Sequence, residues 1–351
     1  MKNKVLVVET GGTFATSSIS SIRTLSNYDN SKQVYQYGRV LERVEDHNIE
    51  FEIIRPIFTL SENLNMELLN TFLDAMYKVD FSKYKGVIIT HGTDTLAYTA
   101  NIISLLFSCK KVPIIFVSSN HPLDLPQSNG VDNFAAALDF IFSVNVQGVY
   151  VIYKNHEGKV EVHLGSRVKQ MDQVVDNYDS FKNVYFGRIV NRVFVYNNDP
   201  LNPTAEEINA LECPYKDKVI KLNKRVILIY PYVGMRHDFY NFSNNIDAVV
   251  YGVYHSGTFF TEKNYPDNSI NKLIDKLAEN NIPLFIAEIS SQGDHYESVT
   301  NLASDCNVNL AYDISFENLY AKVLIGLELC ENAKDINNFI NGTNIFFEKI
   351  V

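Results

Sequence analysis

The sequence predicts an α/β fold of two domains, the larger amino-terminal one built on a mainly parallel sheet with helices on both faces. Three observations carry this reading. Short runs rich in Val, Ile and Phe alternate with longer amphipathic stretches, which is the pattern of βαβ units. A polar, turn-rich segment interrupts the rhythm once, at residues 197–224. The chain also has 351 residues, more than one average domain holds.

The strand candidates of the first part are residues 5–8, 51–55, 86–90, 113–118 and 148–153, each short, apolar and β-branched or aromatic. Between them, residues 66–79, 94–107 and 131–142 read as helices; in the last, Phe134, Leu138 and Ile141 recur on one helical face. The interruption begins with Asn197-Asn198-Asp199-Pro200-Leu201-Asn202-Pro203-Thr204, which is turn chemistry, and carries another proline at Pro214. The rhythm then resumes with strands at 225–230, 248–251 and 284–287 and helices at 270–279 and 317–329. The expected organisation is a larger α/β domain over 1–196, a linker over 197–224 and a smaller α/β domain over 225–351.

Composition narrows the function classes. A chain that is 46% hydrophobic and 21% charged can bury a core, which excludes disorder. A net charge of −10 argues against a nucleic-acid surface, which needs a basic stripe, and against docking on anionic lipid. The partner expected is a small molecule. The apolar run at the start stops at Glu9, short of a signal peptide's stretch of about 7–15 residues, and no apolar run reaches the roughly 18 residues of a membrane span. The chain therefore reads as soluble and cytoplasmic. Cys109, Cys213, Cys306 and Cys330 lie far apart and read as buried structural thiols in a reducing compartment. The eight histidines show no metal-ligand spacing, so neither a metal nor a cofactor is expected.

Two loops follow strands and share one design. The first is Glu9-Thr10-Gly11-Gly12-Thr13-Phe14-Ala15; the second, Thr90-His91-Gly92-Thr93-Asp94-Thr95, runs directly into a helix. In open α/β sheets ligands bind outside the carboxyl ends of strands, and glycines there allow close backbone approach. No Gly-Lys-Ser/Thr follows Gly12 and no GxGxxG is present, so a phosphate cradle is unsupported. Thr13 and Thr93 are hydroxyls beside glycines, with a carboxylate at Asp94; a threonine hydroxyl becomes a nucleophile once a neighbouring base takes its proton. The competing reading is that Asp94 and Thr95 simply cap the helix.

Together, in this order, these two loops resemble the two signature motifs of the bacterial-type L-asparaginases. Ser61-Glu62-Asn63-Leu64 falls where that family has a Ser-Gln/Glu-Asp/Asn-Met segment, and Asn129-Gly130-Val131-Asp132-Asn133 resembles the end of a further family loop. The resemblance implies hydrolysis of the side-chain amide of L-asparagine, with Thr13 as nucleophile, a loop tyrosine assisting it, and Thr93 and Asp94 completing the machinery. Tyr28 is the best match to the tyrosine, with Tyr35 and Tyr37 as competitors. Ser61 and Glu62 are implied to bind the amino-acid end of the substrate, and the backbone around Gly12 and Gly92 to line the site. The family also implies a homodimer or homotetramer.

Two positions depart from the pattern. The family has a lysine in a Gly-x-Arg-x-x-Lys segment; here the segment is Gly165-Ser166-Arg167-Val168-Lys169-Gln170, with Gln170 at the lysine's place and Lys169 one residue early. A one-residue shift in a strand turns a side chain to the other face, and a bulge can restore it. A modified triad, or a weak or inactive relative that binds an amino acid, are the other readings. An amidohydrolase acting on a larger amide also stays open. The second departure is Tyr254-His255-Ser256-Gly257, where the family has a small Gly-Asn-Gly-like loop reaching a neighbouring protomer.

Overall fold

The computed structural model describes the chain except residues 1, 20, 21, 26–30, 173, 216, 217, 243, 244 and 304–307, and except the side chains of 17–19, 22–25, 31 and 303. It divides into two compact units, Met1–Val219 and Ile220–Val351. Tyr28 and Cys306 lie outside the described residues.

The first unit runs β1 (Asn3–Glu9), a hairpin of β2 (Thr16–Ile19) and β3 (Ile22–Leu25), α1 (Gly38–His47), β4 (Ile49–Ile54), α2 (Met66–Tyr77), β5 (Gly86–Thr90), α3 (Leu96–Phe107), β6 (Pro113–Val117), α4 (Gly130–Ser143), β7 (Gly148–Lys154), β8 (Val160–Leu164), β9 (Gly187–Val190), β10 (Val193–Tyr196) and α5 (Ala205–Ala210). Its main sheet has the order β10-β9-β8-β7-β6-β5-β1-β4. The five strands from β4 to β7 are parallel. Successive residues of β1, β5 and β6 are buried without alternation, as a parallel sheet covered on both faces requires.

Beyond β7 the sheet turns antiparallel, an edge absent from the βαβ reading. β8 pairs back on β7 after a turn closed by Gly158 N–H donating to Asn155 O at 2.9 Å. The β9–β10 hairpin turns through Asn191 and Arg192, both at positive φ, the backbone that two-residue hairpin turns favour. These strands are short, and the residues of β10 alternate in exposure, so β10 lacks the continuous burial that marks the central strands.

The division between units falls inside the 197–224 segment, whose greater part is packed into the first unit. α5 opens with a capping box between Thr204 and Glu207, and the buried Gln147 amide donates to the carbonyls of Ile208, Asn209 and Leu211 at 2.8, 3.2 and 3.1 Å.

The second unit contains β11 (Val226–Ile229), β12 (Ala248–Tyr251), α6 (Ile270–Glu279), β13 (Leu284–Ile289), α7 (Glu297–Ala303), β14 (Val308–Tyr312), α8 (Phe316–Leu329) and α9 (Ala333–Gly342). Its four strands form a parallel sheet in sequence order. Val249, Tyr251, Leu284 and Ile286 pack with Leu273, Ile274 and Leu277 of α6. The alternate residues Ala248, Val250, Phe285 and Ala287 pack with Phe316, Leu319 and Val323 of α8 and Ile336 of α9. That is the two-residue period of a strand dividing its side chains between two helical layers. The Tyr254-His255-Ser256-Gly257 segment is a tight turn, closed by Gly257 N–H donating to Tyr254 O at 2.8 Å with Gly257 at φ 69.

A fully buried ion pair closes this unit. Lys322 on α8 meets Glu348 at 2.6 Å, both side chains inaccessible to solvent. Lys322 also donates to Thr343 O at 2.7 Å, while Glu348 accepts the N–H groups of Ile345 and Phe346 at 3.0 and 2.9 Å. Burial pulls the Lys322 ammonium below its ordinary range. Lys322→Met leaves the Glu348 carboxylate buried without its counter-ion, and the expected loss is about 3–5 kcal/mol, measured by urea unfolding. An unchanged midpoint would show that the pair does not hold the segment around Glu348 in place.

Candidate active site

β1 lies between β4 and β5. The chain leaves β1 towards β4 on one side and then crosses to β5 on the other, so the sheet order reverses at the carboxyl end of β1, where ligands of open α/β sheets bind. The Thr10 N–H and hydroxyl both donate to Thr90 O, at 3.3 and 2.8 Å, joining the loops that follow β1 and β5. Gly12 N–H donates to Thr59 O at 2.9 Å, and Thr59 N–H to Thr10 O at 3.1 Å. This draws the segment after β4 onto the same place.

The glycines make this approach possible. Gly11 and Gly12 have φ of 105° and 66°. A Cβ on Gly12 would come within 2.5 Å of Gly92 N and 2.6 Å of Gly92 Cα, so the two loops meet backbone to backbone. Thr13 follows in a short 3-10 turn, Gly12–Ala15, anchored by the buried Phe14 and Ala15. Its hydroxyl-bearing side chain is half-buried, and its carbonyl accepts from the Thr16 hydroxyl at 3.0 Å.

Ser61 links the second loop to the segment after β4. Its Oγ donates to Asp94 Oδ2 at 2.6 Å and accepts the Asp94 N–H at 3.3 Å. The Thr95 hydroxyl donates to Ser61 O at 3.0 Å and makes no capping bond to α3. The capping alternative for Asp94 and Thr95 is therefore not what these side chains do: both engage Ser61. Glu62 is exposed beside Ser61, and Thr93 is half-buried. His91 is buried, with Nδ1–H donating to Gly92 O at 2.9 Å; burial lowers its pKa to about 4 and keeps the ring neutral.

The segment after β8 reaches the same loop. Gln170 Nε2 donates to Asp94 O at 2.8 Å, so Gln170 meets this loop through the Asp94 carbonyl. Lys169 N–H donates to Asp179 O at 2.8 Å, part of the pairing that includes a bridge between Val168 and Ser180. Tyr178 is a site residue that the sequence does not single out. Its hydroxyl donates to Thr93 O at 3.0 Å, and its ring meets Tyr153 edge-on with centroids 5.1 Å apart. Nothing in the sequence separates it from the other members of a set of 21 tyrosines.

Asp176 accepts from the Tyr153 hydroxyl and from Asn120 Nδ2. The competing tyrosines are occupied elsewhere: Tyr35 donates to Glu9 at 2.9 Å and Tyr37 to Leu123 O at 2.6 Å. A cavity of about 880 Å³ opens nearby, lined by Tyr37, Asn120, Asp132, Lys154 and Asp176 and not by the two threonines. Among the described residues no cluster of three or more His, Cys, Asp or Glu side chains is placed to hold a metal ion.

Fold and loops together define a two-domain α/β protein of the asparaginase type, with paired threonine loops at the switch point of its parallel sheet. The chain belongs to the asparaginase family: the family model described as "Asparaginase, N-terminal" matches residues 4–201. It is 28% identical over 173 residues to the L-asparaginase of Thermococcus kodakarensis, covering 48% of this chain and 48% of that protein. Over 211 residues it is 27% identical to a Glutamyl-tRNA(Gln) amidotransferase subunit of Methanococcus maripaludis, covering 58% of this chain and 48% of that protein. The chain thus spans about half the length of the curated relatives it matches. Among solved structures, the thermostable L-asparaginase from Thermococcus kodakarensis matches with a TM-score of 0.76 at 20% identity, over 99% of both chains. L-asparaginase I from Vibrio cholerae matches at 0.76 and 19% identity over 100% of both chains. At such identity these two establish the fold.

Two outcomes follow from this geometry. Gly12→Ala places a methyl group against Gly92 at a positive φ and is expected to destabilise the first unit by about 1–3 kcal/mol, read as a lower urea midpoint. His91 binds its proton near pH 4 when folded and near pH 6.5 when unfolded. The unfolded chain therefore takes up a proton that the folded chain refuses. Stability contributed by the neutral ring is complete above pH 6.5 and falls as pH drops towards about 4. The slope of unfolding free energy over that window should be shallower in His91→Gln.

Proposed function

We propose that the chain hydrolyses the side-chain amide of L-asparagine to L-aspartate and ammonia, with Thr13 as the nucleophile. The observation that carries this reading is the meeting of the Thr13 and Thr93–Asp94 loops across Gly12 and Gly92, with Ser61 bonded to Asp94 beside them. Membership of the asparaginase family supports an amidohydrolase, and an L-asparaginase among the relatives supports the substrate.

In this mechanism Thr13 Oγ attacks the amide carbon, and backbone N–H groups around Gly12 and Thr93 hold the developing oxyanion. Ammonia leaves, and water then frees aspartate from the β-acyl-enzyme. Asp94 and Glu62 receive the substrate's α-ammonium, and Ser61 with nearby N–H groups receives its α-carboxylate. Tyr28 is the tyrosine assigned to assist Thr13. No cofactor takes part. We also propose a homodimer or homotetramer acting in the cytoplasm.

Gln170 favours a second reading. A neutral amide donates a hydrogen bond but cannot exchange a proton, so a weak relative that binds an amino acid without turnover is the alternative. A larger amide is a third, supported by the amidotransferase subunits among the relatives.

Ammonia release from L-asparagine tests these readings. Wild type should release it, Thr13→Ala and Thr93→Ala should lose about a thousandfold or more in kcat, and Gln170→Lys should raise turnover. Calorimetric binding of aspartate with no ammonia release by wild type would overturn the hydrolase in favour of the second reading.

A further inference from the structure

By sequence spacing alone the four cysteines read as isolated buried thiols. In the structure Cys109, Cys213 and Cys330 are half-buried rather than enclosed, and the thiols of Cys109 and Cys213 lie within hydrogen-bond reach of each other. They come from distant parts of the first unit: Cys109 follows the last turn of α3, and Cys213 follows α5.

Their meeting is fixed by bonds on each side. The Tyr215 hydroxyl donates to Leu105 O on α3. Gln147 grips the carbonyls of Ile208, Asn209 and Leu211. Asn209 Nδ2 donates to Asn145 O at 2.8 Å, and Lys111 Nζ to Asn209 O at 3.4 Å. The segment that carries Cys213 is thereby held against the end of α3, and a disulfide, with sulfurs about 2.05 Å apart, needs a local closure of two thiols within hydrogen-bond reach.

We propose that Cys109 and Cys213 form a reversible dithiol–disulfide site, oxidised by small hydroperoxides, that fastens the 205–215 segment to the carboxyl end of α3. The two thiols are unequal. Cys213 accepts hydrogen bonds from the Cys109 thiol and the Tyr215 N–H and lies near Lys110, which holds its thiol below the usual range; the same contact, with burial, pushes Cys109 up. Cys213 is thus the attacking thiolate and Cys109 the resolving thiol.

The Cys213 thiolate attacks one peroxide oxygen: an S–O bond forms, the O–O bond breaks, and the alkoxide leaves as the alcohol after taking a proton. Cys213 becomes a sulfenic acid, oxidised by two electrons as the peroxide is reduced. Cys109 then gives up its proton and attacks the Cys213 sulfur, forming S–S, breaking S–O and releasing water. A dithiol reductant reverses the bond by exchange.

The test uses the full chain, reduced, freed of reductant and exposed to stoichiometric hydrogen peroxide. Two of the four thiols should disappear, the intact mass should fall by about 2 Da, and peptide mapping should find Cys109 joined to Cys213. Dithiothreitol should restore both thiols. Cys109→Ser should stop at a sulfenic acid that dimedone traps, and Cys213→Ser should resist the same dose. The thermal midpoint of wild type should rise by several degrees on oxidation. Mapping needs only the wild-type protein, so a variant that fails to fold leaves it decisive. Peroxide that oxidises other cysteines first, or leaves all four thiols titratable, overturns the proposal.

Discussion

The candidate site depends on one constraint: the backbone at Gly12 lies against the backbone at Gly92, closer than any side chain would permit. Parallel pairing of β1 with β5 sets the register from Val5 opposite Gly86 to Glu9 opposite Thr90, so both loops leave the sheet at one level. With no Cβ between them, the loops touch. Thr59 then pairs with Thr10 and Gly12, and Ser61, two residues on, arrives beside Asp94. Three loops from three parallel strands are thus held together by backbone bonds through Thr59 and by the side chains of Thr10, Ser61 and Thr95.

The central architecture was legible because burial on both faces leaves an unmistakable trace. A strand such as Val87–Ile88–Ile89, wholly inaccessible, must be apolar at every position, and the helices between such strands carry a clear period. The antiparallel edge left no such trace. In β10, Val193 and Val195 are exposed while Phe194 is not, so apolar residues on the outer face blur the alternation. Glycine-threonine loops were legible for a local reason, since close approach restricts residue choice. Tyr178 and Asp176 were not. Their roles come from contacts with Thr93, Tyr153 and Asn120, which only the folded chain brings near.

Gln170 and Tyr178 tie the segment after β8 to the threonine loop. The Gln170 amide and the Tyr178 hydroxyl donate to adjacent carbonyls, of Asp94 and Thr93. The segment after β8 therefore steadies the backbone of the threonine loop without placing a charge through Gln170. The Asp94 carboxylate itself is bonded to the Ser61 hydroxyl.

The buried Lys322–Glu348 pair carries a consequence for the order of events during synthesis. All the partners that fix the strands of the first sheet have emerged by Tyr196, so that sheet can be assembled while the chain is still growing, as amino-terminal domains do. The second unit differs. α8 is formed by residues Phe316–Leu329, yet its lysine has no counter-ion to enter the core with until residue 348 has been added. A Lys322 side chain buried as an ion pair therefore requires the stretch around Glu348, 26 residues further along the chain.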